Sequence, residues 1–475
     1  MPDLAQGYSA DIVLAANESV RVRTSGQVTV TSAYGAPAGT TTLNANTQLF
    51  GPYGVPAKLR VTAVSGAANY AQPTQVPVTA DPATGEFTPP VSGAWNTVVS
   101  ANVYLPTGFS TYAAALPNWR AGAQQTRAGV ICRIAWPGNS TAVGYGALGA
   151  ANYVGIKRAS PTSRLAALLD TILRPTGIES WMGNNGSETA GGTTFNQYFP
   201  SLNPGAGWVN SPQGSLGKNS LENSTTTNAL PLTASVPVNT GEIFYFSKPV
   251  DGTAAFGTFT VNVDGGATLA TVDCNAAKTM RKQVVTFARG YHTLNVVPPG
   301  GGVYVVIAGM IAYDSENPGV QVLNLGYAGG TAATLKGSGT LATSNVISTL
   351  GCKLIILGNL INDWVAGTNV ATFKADTQTL ITAAKNGGAC DVVLITDIPT
   401  APGVASYATQ AAYLTAYREL AAENSLILID WYTQSGGTYE AANAAGLMYD
   451  DRHESALGYT RKAEMVASVL AAALR

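Results

Sequence analysis

Lys353-Leu354-Ile355-Ile356-Leu357-Gly358-Asn359-Leu360-Ile361-Asn362-Asp363-Trp364 is the stretch that decides the fold. A short run that is apolar almost throughout and closed by glycine reads as a strand buried on both faces, the kind found in a parallel sheet covered by helices. Four other runs have the same texture: Val130-Ile131-Cys132-Arg133-Ile134-Ala135, Val320-Gln321-Val322-Leu323-Asn324-Leu325, Asp391-Val392-Val393-Leu394-Ile395-Thr396 and Leu426-Ile427-Leu428-Ile429-Asp430. Helical periodicity follows each, near 162–173, 333–349, 371–386, 407–423 and 456–474. Five βα units predict a three-layer α/β domain.

Between about 186 and 318 the helical period vanishes. Runs such as Glu242-Ile243-Phe244-Tyr245-Phe246, Thr258-Phe259-Thr260-Val261-Asn262-Val263 and Val303-Tyr304-Val305-Val306-Ile307-Ala308, separated by Gly-rich turns, predict a β-sandwich inserted after the first βα unit. Residues 1–75 alternate apolar and polar positions, as in Ser19-Val20-Arg21-Val22-Arg23, and predict a small N-terminal β domain. The interval 76–125, with Pro77, Pro82, Pro89, Pro90 and Pro106, reads as a linker or collar. The α/β domain then comprises 126–185 and 319–475, with 186–318 as the insertion.

A chain of 475 residues has room for two to four domains and an ample core. With 26 Lys and Arg against 27 Asp and Glu, and no basic run, it lacks the electrostatic source for binding nucleic acid. The N-terminus has no charged n-region followed by an apolar stretch, and no run of about eighteen apolar residues occurs later, so neither a secretory signal nor a membrane insertion is expected. Cys132, Cys274, Cys352 and Cys390 are scattered without a Cys-x-x-Cys pair and read as buried free thiols. The two histidines lie far apart in sequence, so no metal site and no cofactor are expected.

In open parallel sheets, ligands bind beyond the carboxyl ends of the strands. The first strand leads into Trp136-Pro137-Gly138-Asn139-Ser140-Thr141, where Ser140 can present its hydroxyl and its own backbone N–H. The second leads into Gly326-Tyr327-Ala328-Gly329-Gly330, where glycine lets the backbone approach a substrate. The third supplies Asn359 and Asn362, whose amides can donate to an oxyanion. Asp450-Asp451-Arg452-His453 lies just before the last helix, and a carboxylate three residues before a histidine can fix its tautomer on one turn.

Taken in this order, these blocks resemble the SGNH (GDSL-type) hydrolase family over 126–185 and 319–475. The resemblance implies a flavodoxin-like domain with a parallel five-stranded sheet, and assigns Ser140 as nucleophile, His453 as base and Asp450 as its orienting acid, with Asp451 as the other candidate. It assigns the oxyanion hole to Ser140, Gly329 and Asn362, with Asn359 as alternative because Gly358 stands four residues before Asn362 instead of two. Asn139 stands where the family has aspartate, and Glu454 follows the histidine where proline is common, which implies a less rigid loop. An α/β-hydrolase elbow does not fit, because Ala142 occupies the last position of Gly-x-Ser-x-Gly.

The second histidine lies in Gly290-Tyr291-His292-Thr293-Leu294, which looks like a jelly-roll strand of a carbohydrate-binding module and reads as structural. Such an insertion also resembles esterases that remove O-acetyl groups from cell-wall polysaccharide, implying an O-acetylated bacterial glycan (capsule, O-antigen or cell wall) as substrate. The segments around Gly35–Asn46 and Phe50–Leu59 are similar in composition to small β modules of tailed-phage virion proteins. That likeness implies a virion location, on a phage tail or head appendage, with contacts to other virion proteins through the N-terminal domain and a homotrimeric assembly. A receptor-binding or structural virion protein that keeps the SGNH fold without turnover is the reading of a different class.

Overall fold

In the computed structural model, the described residues are 111–148, 156–173, 178–183, 202, 204–248, 256–339 and 341–474, together with short strands between Asp3 and Tyr104. The chain divides into two units, the second beginning at Asn102. In the first, the short strands between Asp3 and Thr88 pair into three-stranded sheets. They coincide in part with the alternating runs, as at Ser19–Val22 and Gly26–Ser32. The segments between them, most of the expected N-terminal domain included, lie outside the described residues.

The second unit starts with strand β1 (Val103–Tyr104), helix α1 (Pro117–Gln125), strand β2 (Cys132–Gly138), the single turn α2 (Ser140–Val143) and α3 (Pro161–Ile172). After ten strands described below, it resumes with β13 (Val320–Gly326), α4 (Ala332–Lys336), β14 (Leu354–Leu357), α5 (Ile361–Ala366), α6 (Val370–Lys385), β15 (Asp391–Ile395), α7 (Tyr407–Asn424), β16 (Ile427–Ile429) and α8 (Ala456–Ala472). The six strands form one sheet in the order β1-β16-β15-β14-β2-β13. Five are mutually parallel, in the 2-1-3-4-5 order of flavodoxin-like folds. Strands β2, β14, β15 and β16 are wholly buried along their length, as their apolar runs require.

Two boundaries differ from the sequence expectation. The sheet has a sixth, antiparallel edge strand, β1, and α1 packs Trp119 into the core, where its indole donates to Leu470 O and its backbone N–H to Asp391. The C-terminal part of the expected linker therefore belongs to the α/β domain. It escaped notice because a two-residue strand has no period and α1 buries only Trp119, Gly122 and Ala123. The insertion also begins earlier than 186, because β3 (Ile178–Met182) pairs antiparallel with β12 (Val305–Tyr313).

Between β3 and β12 lie β4 (Val209–Ser215), β5 (Lys218–Asn223), β6 (Leu230–Thr233), β7 (Val238–Ser247), β8 (Thr258–Val263), β9 (Thr268–Asp273), β10 (Thr279–Gly290) and β11 (Thr293–Val297). They form two antiparallel sheets, β4-β5-β12-β7-β10 and β6-β11-β8-β9. Buried residues of both, among them Ile243, Phe259, Val261, Leu294 and Met310, form one cluster. An ion pair joins this module to the parallel sheet: Arg133 on β2 meets Glu242 on β7 at 3.2 Å, both almost fully buried. Arg133 also donates to Gln321 and to Leu350 O.

Candidate active site

Three glycines let three loops leave the sheet side by side. Gly138 ends β2 and lies opposite Gly326 at the end of β13 and opposite Gly358 just past β14. A Cβ at Gly138 would stand 2.6 Å from Gly358 O, and one at Gly326 would stand 2.5 Å from the backbone N of Val143. Neither position tolerates a side chain, so the strand ends that carry the first three motif blocks converge.

The nucleophile candidate sits in the first of these loops. Asn139 caps the turn α2, its Oδ1 accepting from Thr141 N at 2.9 Å, and this holds Ser140 at the turn's first position. Asn324, buried in β13, steadies the turn from below by donating to Ala142 O at 2.8 Å. Ser140 Oγ lies 2.9 Å from His453 Nε2. His453 Nδ1 lies 2.7 Å from Asp450 Oδ2, while Asp450 Oδ1 accepts the backbone N–H groups of Arg452 at 2.9 Å and His453 at 2.7 Å.

Burial alone would raise the Asp450 carboxyl, but the His453 hydrogen bond and charge, with the two backbone donors, hold it below the usual carboxylate range. An ionised Asp450 accepts only, so Nδ1 of His453 carries the proton and Nε2 is left to accept from Ser140. The ring of Tyr145 packs against His453 at a centroid distance of 4.8 Å. Asp451 points elsewhere, pairing with Arg452 at 2.8 Å. Of the two adjacent acids, the structure brings Asp450 to the histidine.

The other two blocks are joined to each other. Gly329 has φ +76°, a left-handed conformation suited to glycine, and among the described residues its N–H and that of Ser140 have no acceptor. Asn362 Nδ2 donates to Gly330 O at 3.0 Å, and Asp363 Oδ2 accepts from Ala332 N at 2.7 Å. Asn359 is not available as a donor there. It is buried, its Oδ1 accepting from Tyr417 Oη at 2.7 Å and its Nδ2 directed to Thr377. Glu454 corrects the expectation of a less rigid histidine loop: it is fully buried, pairs with Lys462 at 2.9 Å, and the turn is closed by Tyr449 N donating to His453 O.

His292 is differently placed. Its Nδ1 meets Asp264 at 2.6 Å and its Nε2 meets Ala288 O at 2.9 Å, so neither ring nitrogen is left to act as a base. All four cysteines are buried free thiols. Among the described residues no cluster of His, Cys, Asp and Glu could hold a metal ion, and no helix is long and apolar enough to cross a membrane.

Among solved structures, a peptidoglycan O-acetylesterase superposes with a TM-score of 0.54 at 18% identity, over 75% of this chain and 96% of that one. The chain shares that enzyme's fold. A lipase/acylhydrolase from Enterococcus faecalis matches 31% of this chain and 74% of its own at 21% identity, with a TM-score of 0.25. A family two carbohydrate esterase from Clostridium thermocellum matches 55% and 97% at 10% identity, with a TM-score of 0.23. Scores that low do not bear on the fold. No family model and no curated protein matches the chain.

Sequence reasoning missed the polar residues beneath the site. Asp397, directly past the end of β15, accepts from Asn139, Thr141, Leu360 and Ile361, and faces Lys462. Two signals could have found them: a carboxylate at the carboxyl end of the fourth parallel strand, and a lysine on the apolar stripe of the last helix, four residues before Val466.

Proposed function

We propose that this chain is a serine esterase of SGNH type that removes O-acetyl or related acyl groups from a bacterial surface polysaccharide. The observation that carries the reading is the continuous Ser140 Oγ, His453 Nε2, His453 Nδ1, Asp450 Oδ2 chain, with links of 2.9 and 2.7 Å. Ser140 Oγ attacks the ester carbonyl carbon while His453 Nε2 takes the hydroxyl proton. The carbonyl oxygen becomes an anion that the N–H groups of Ser140 and Gly329 and the second amide hydrogen of Asn362 receive. Collapse breaks the bond to the sugar oxygen, which leaves with the proton from His453. Water then attacks the acyl-serine, giving its proton to His453, and acetate departs as Ser140 regains its hydrogen.

The glycan substrate is supported by the kinship in fold with a peptidoglycan O-acetylesterase and by the inserted two-sheet module beside the hydrolase domain. Carriage on a phage particle, through the N-terminal region and in a trimer, is supported by the composition of the N-terminal segments alone. Acetate release from an aryl acetate and from O-acetylated bacterial polysaccharides, compared between the parent chain and Ser140→Ala, tests the reading. Equal rates would leave a binding or structural virion protein as the better account.

A further inference from the structure

The residues flanking Ser140 and the residue before Asn362 converge on one buried carboxylate, and the residue after His453 is linked to it through one buried lysine. Asp397 Oδ2 accepts from Asn139 Nδ2 at 2.8 Å, Leu360 N at 2.9 Å and Ile361 N at 3.2 Å. Its Oδ1 accepts from Thr141 Oγ1 at 2.9 Å and from Lys462 Nζ at 3.3 Å. Lys462 Nζ also donates to Glu454 Oε1 at 2.9 Å. The Lys462 side chain is 2% exposed and both carboxylates 0%.

Burial alone would raise the Asp397 carboxyl, yet Lys462, Asn139 and the backbone N–H groups of Ile361 and Leu360 hold it below the usual range. Burial alone would lower the Lys462 amine, and Glu454 with Asp397 keeps it above its ordinary value. Asp397 and Lys462 are therefore arranged to stay charged out of water, with the Glu454 carboxylate 2.9 Å from the amine. Apolar packing of the same volume is often as stabilising as such a set or more so, so stability alone does not account for it. Its contacts are also not spread at random. They end on both neighbours of Ser140, on the residue before Asn362 and on the residue after His453.

We propose that Asp397, Lys462 and Glu454 are positioning residues, a buried brace that fixes the nucleophile turn, the oxyanion-asparagine loop and the histidine turn against one another. The proposal rests on the esterase reading. It also accounts for two departures from the family pattern. Asn139 is required because an aspartate there would oppose Asp397 carboxylate to carboxylate at 2.8 Å. Glu454 replaces a stiff proline because it anchors the histidine turn by charge.

The test uses the full chain with Asp397→Asn, which keeps the shape and the acceptor for Asn139, Leu360 and Ile361 but removes the charge facing Lys462, and with Asn139→Asp. On an aryl acetate, folded Asp397→Asn is expected to lose at least about tenfold in kcat, as slight misplacement of reacting groups does. KM should stay within about twofold, since no contact to substrate is removed. Asn139→Asp should lose activity increasingly as pH rises and the shared proton leaves the carboxylate pair. In protein labelled with 15N at its two histidines, the His453 ring signal should move in Asp397→Asn while that of His292 stays. A folded Asp397→Asn with the parent's kcat and an unmoved His453 signal would overturn the proposal. Were the parent itself no faster than Ser140→Ala, the esterase reading would fall instead, and the His453 signal alone would decide whether the brace exists.

Discussion

Asn362 and Gly330 are joined by a hydrogen bond from the carboxamide nitrogen to the carbonyl oxygen, 3.0 Å long. This contact fixes which way the amide faces, because an Oδ1 in that place would meet a second acceptor. It also uses one amide hydrogen and leaves the other, so the bond that orients the donor does not consume it. One residue on, Asp363 grips Ala332 N, so the segment just after Gly329 is held at two points by consecutive residues of one helix.

Replacement of Asn362 by Ala removes the contact to Gly330 and, on the proposed esterase reading, one oxyanion donor. Turnover of an aryl acetate is expected to fall about a hundredfold to a thousandfold, with KM little changed. A tenfold rise in KM with kcat intact would show instead that Asn362 binds the ground state.

The two neighbouring acids of the histidine turn should respond very differently. Asp450→Asn places an amide where His453 Nδ1–H needs an acceptor that cannot donate, and a loss on the order of a thousandfold or more in kcat is expected. Asp451→Asn breaks only a partly exposed pair with Arg452 and should cost less than about threefold. Steady-state kinetics of the two variants side by side is the measurement. Comparable losses would return Asp451 to the site.

Asp363 gives the fold a pH dependence of its own. Burial raises its carboxyl to about 6, against the lowering effect of the Ala332 and Thr368 hydrogen bonds. Its folded value therefore lies above its unfolded one, near about 4. A carboxyl raised on folding contributes fully below the unfolded value and loses that contribution as pH rises through the folded one. Asp363→Asn retains an acceptor for Ala332 and has no such titration. Its melting temperature relative to the parent should climb between pH 4 and 7, as read by thermal melts across that window; a constant difference would refute the assignment.

Much of this architecture was legible because its strands are buried on both faces. Ile355 and Ile356 in β14, or Val392 and Val393 in β15, need neighbours above and below, and each pair is followed by a further apolar residue. The Asp450–His453 contact was legible because a carboxylate three residues before a histidine can reach it on one turn, and the place of Ser140 because it follows a strand end. The brace was not. Asp397 and Lys462 are 65 residues apart, and only the closed fold turns a buried acid and a buried base into partners. The start of the insertion was hidden for the same reason, since Ile178–Met182 is defined as a strand by a partner more than a hundred residues away.

The close apposition at Gly138 makes a further prediction about stability. Gly138→Ala forces a methyl group against Gly358 O, and overpacking of this kind costs about 1–3 kcal/mol. A lowered denaturation midpoint with an unchanged m-value is the expected result. Gly329→Ala has open space around it and differs in kind, its cost arising from the φ of +76° alone.

The ion pair between Arg133 and Glu242 bears on how such a chain can evolve. Arg133 belongs to the parallel sheet and Glu242 to the module threaded through it, and breaking a buried pair by removing one partner costs about 3–5 kcal/mol. Recombination that exchanged the module for another of similar outline would strand a charge in the seam. The pair therefore favours inheriting the two halves together, and variation in the surface loops of either half meets less resistance than exchange of the whole module.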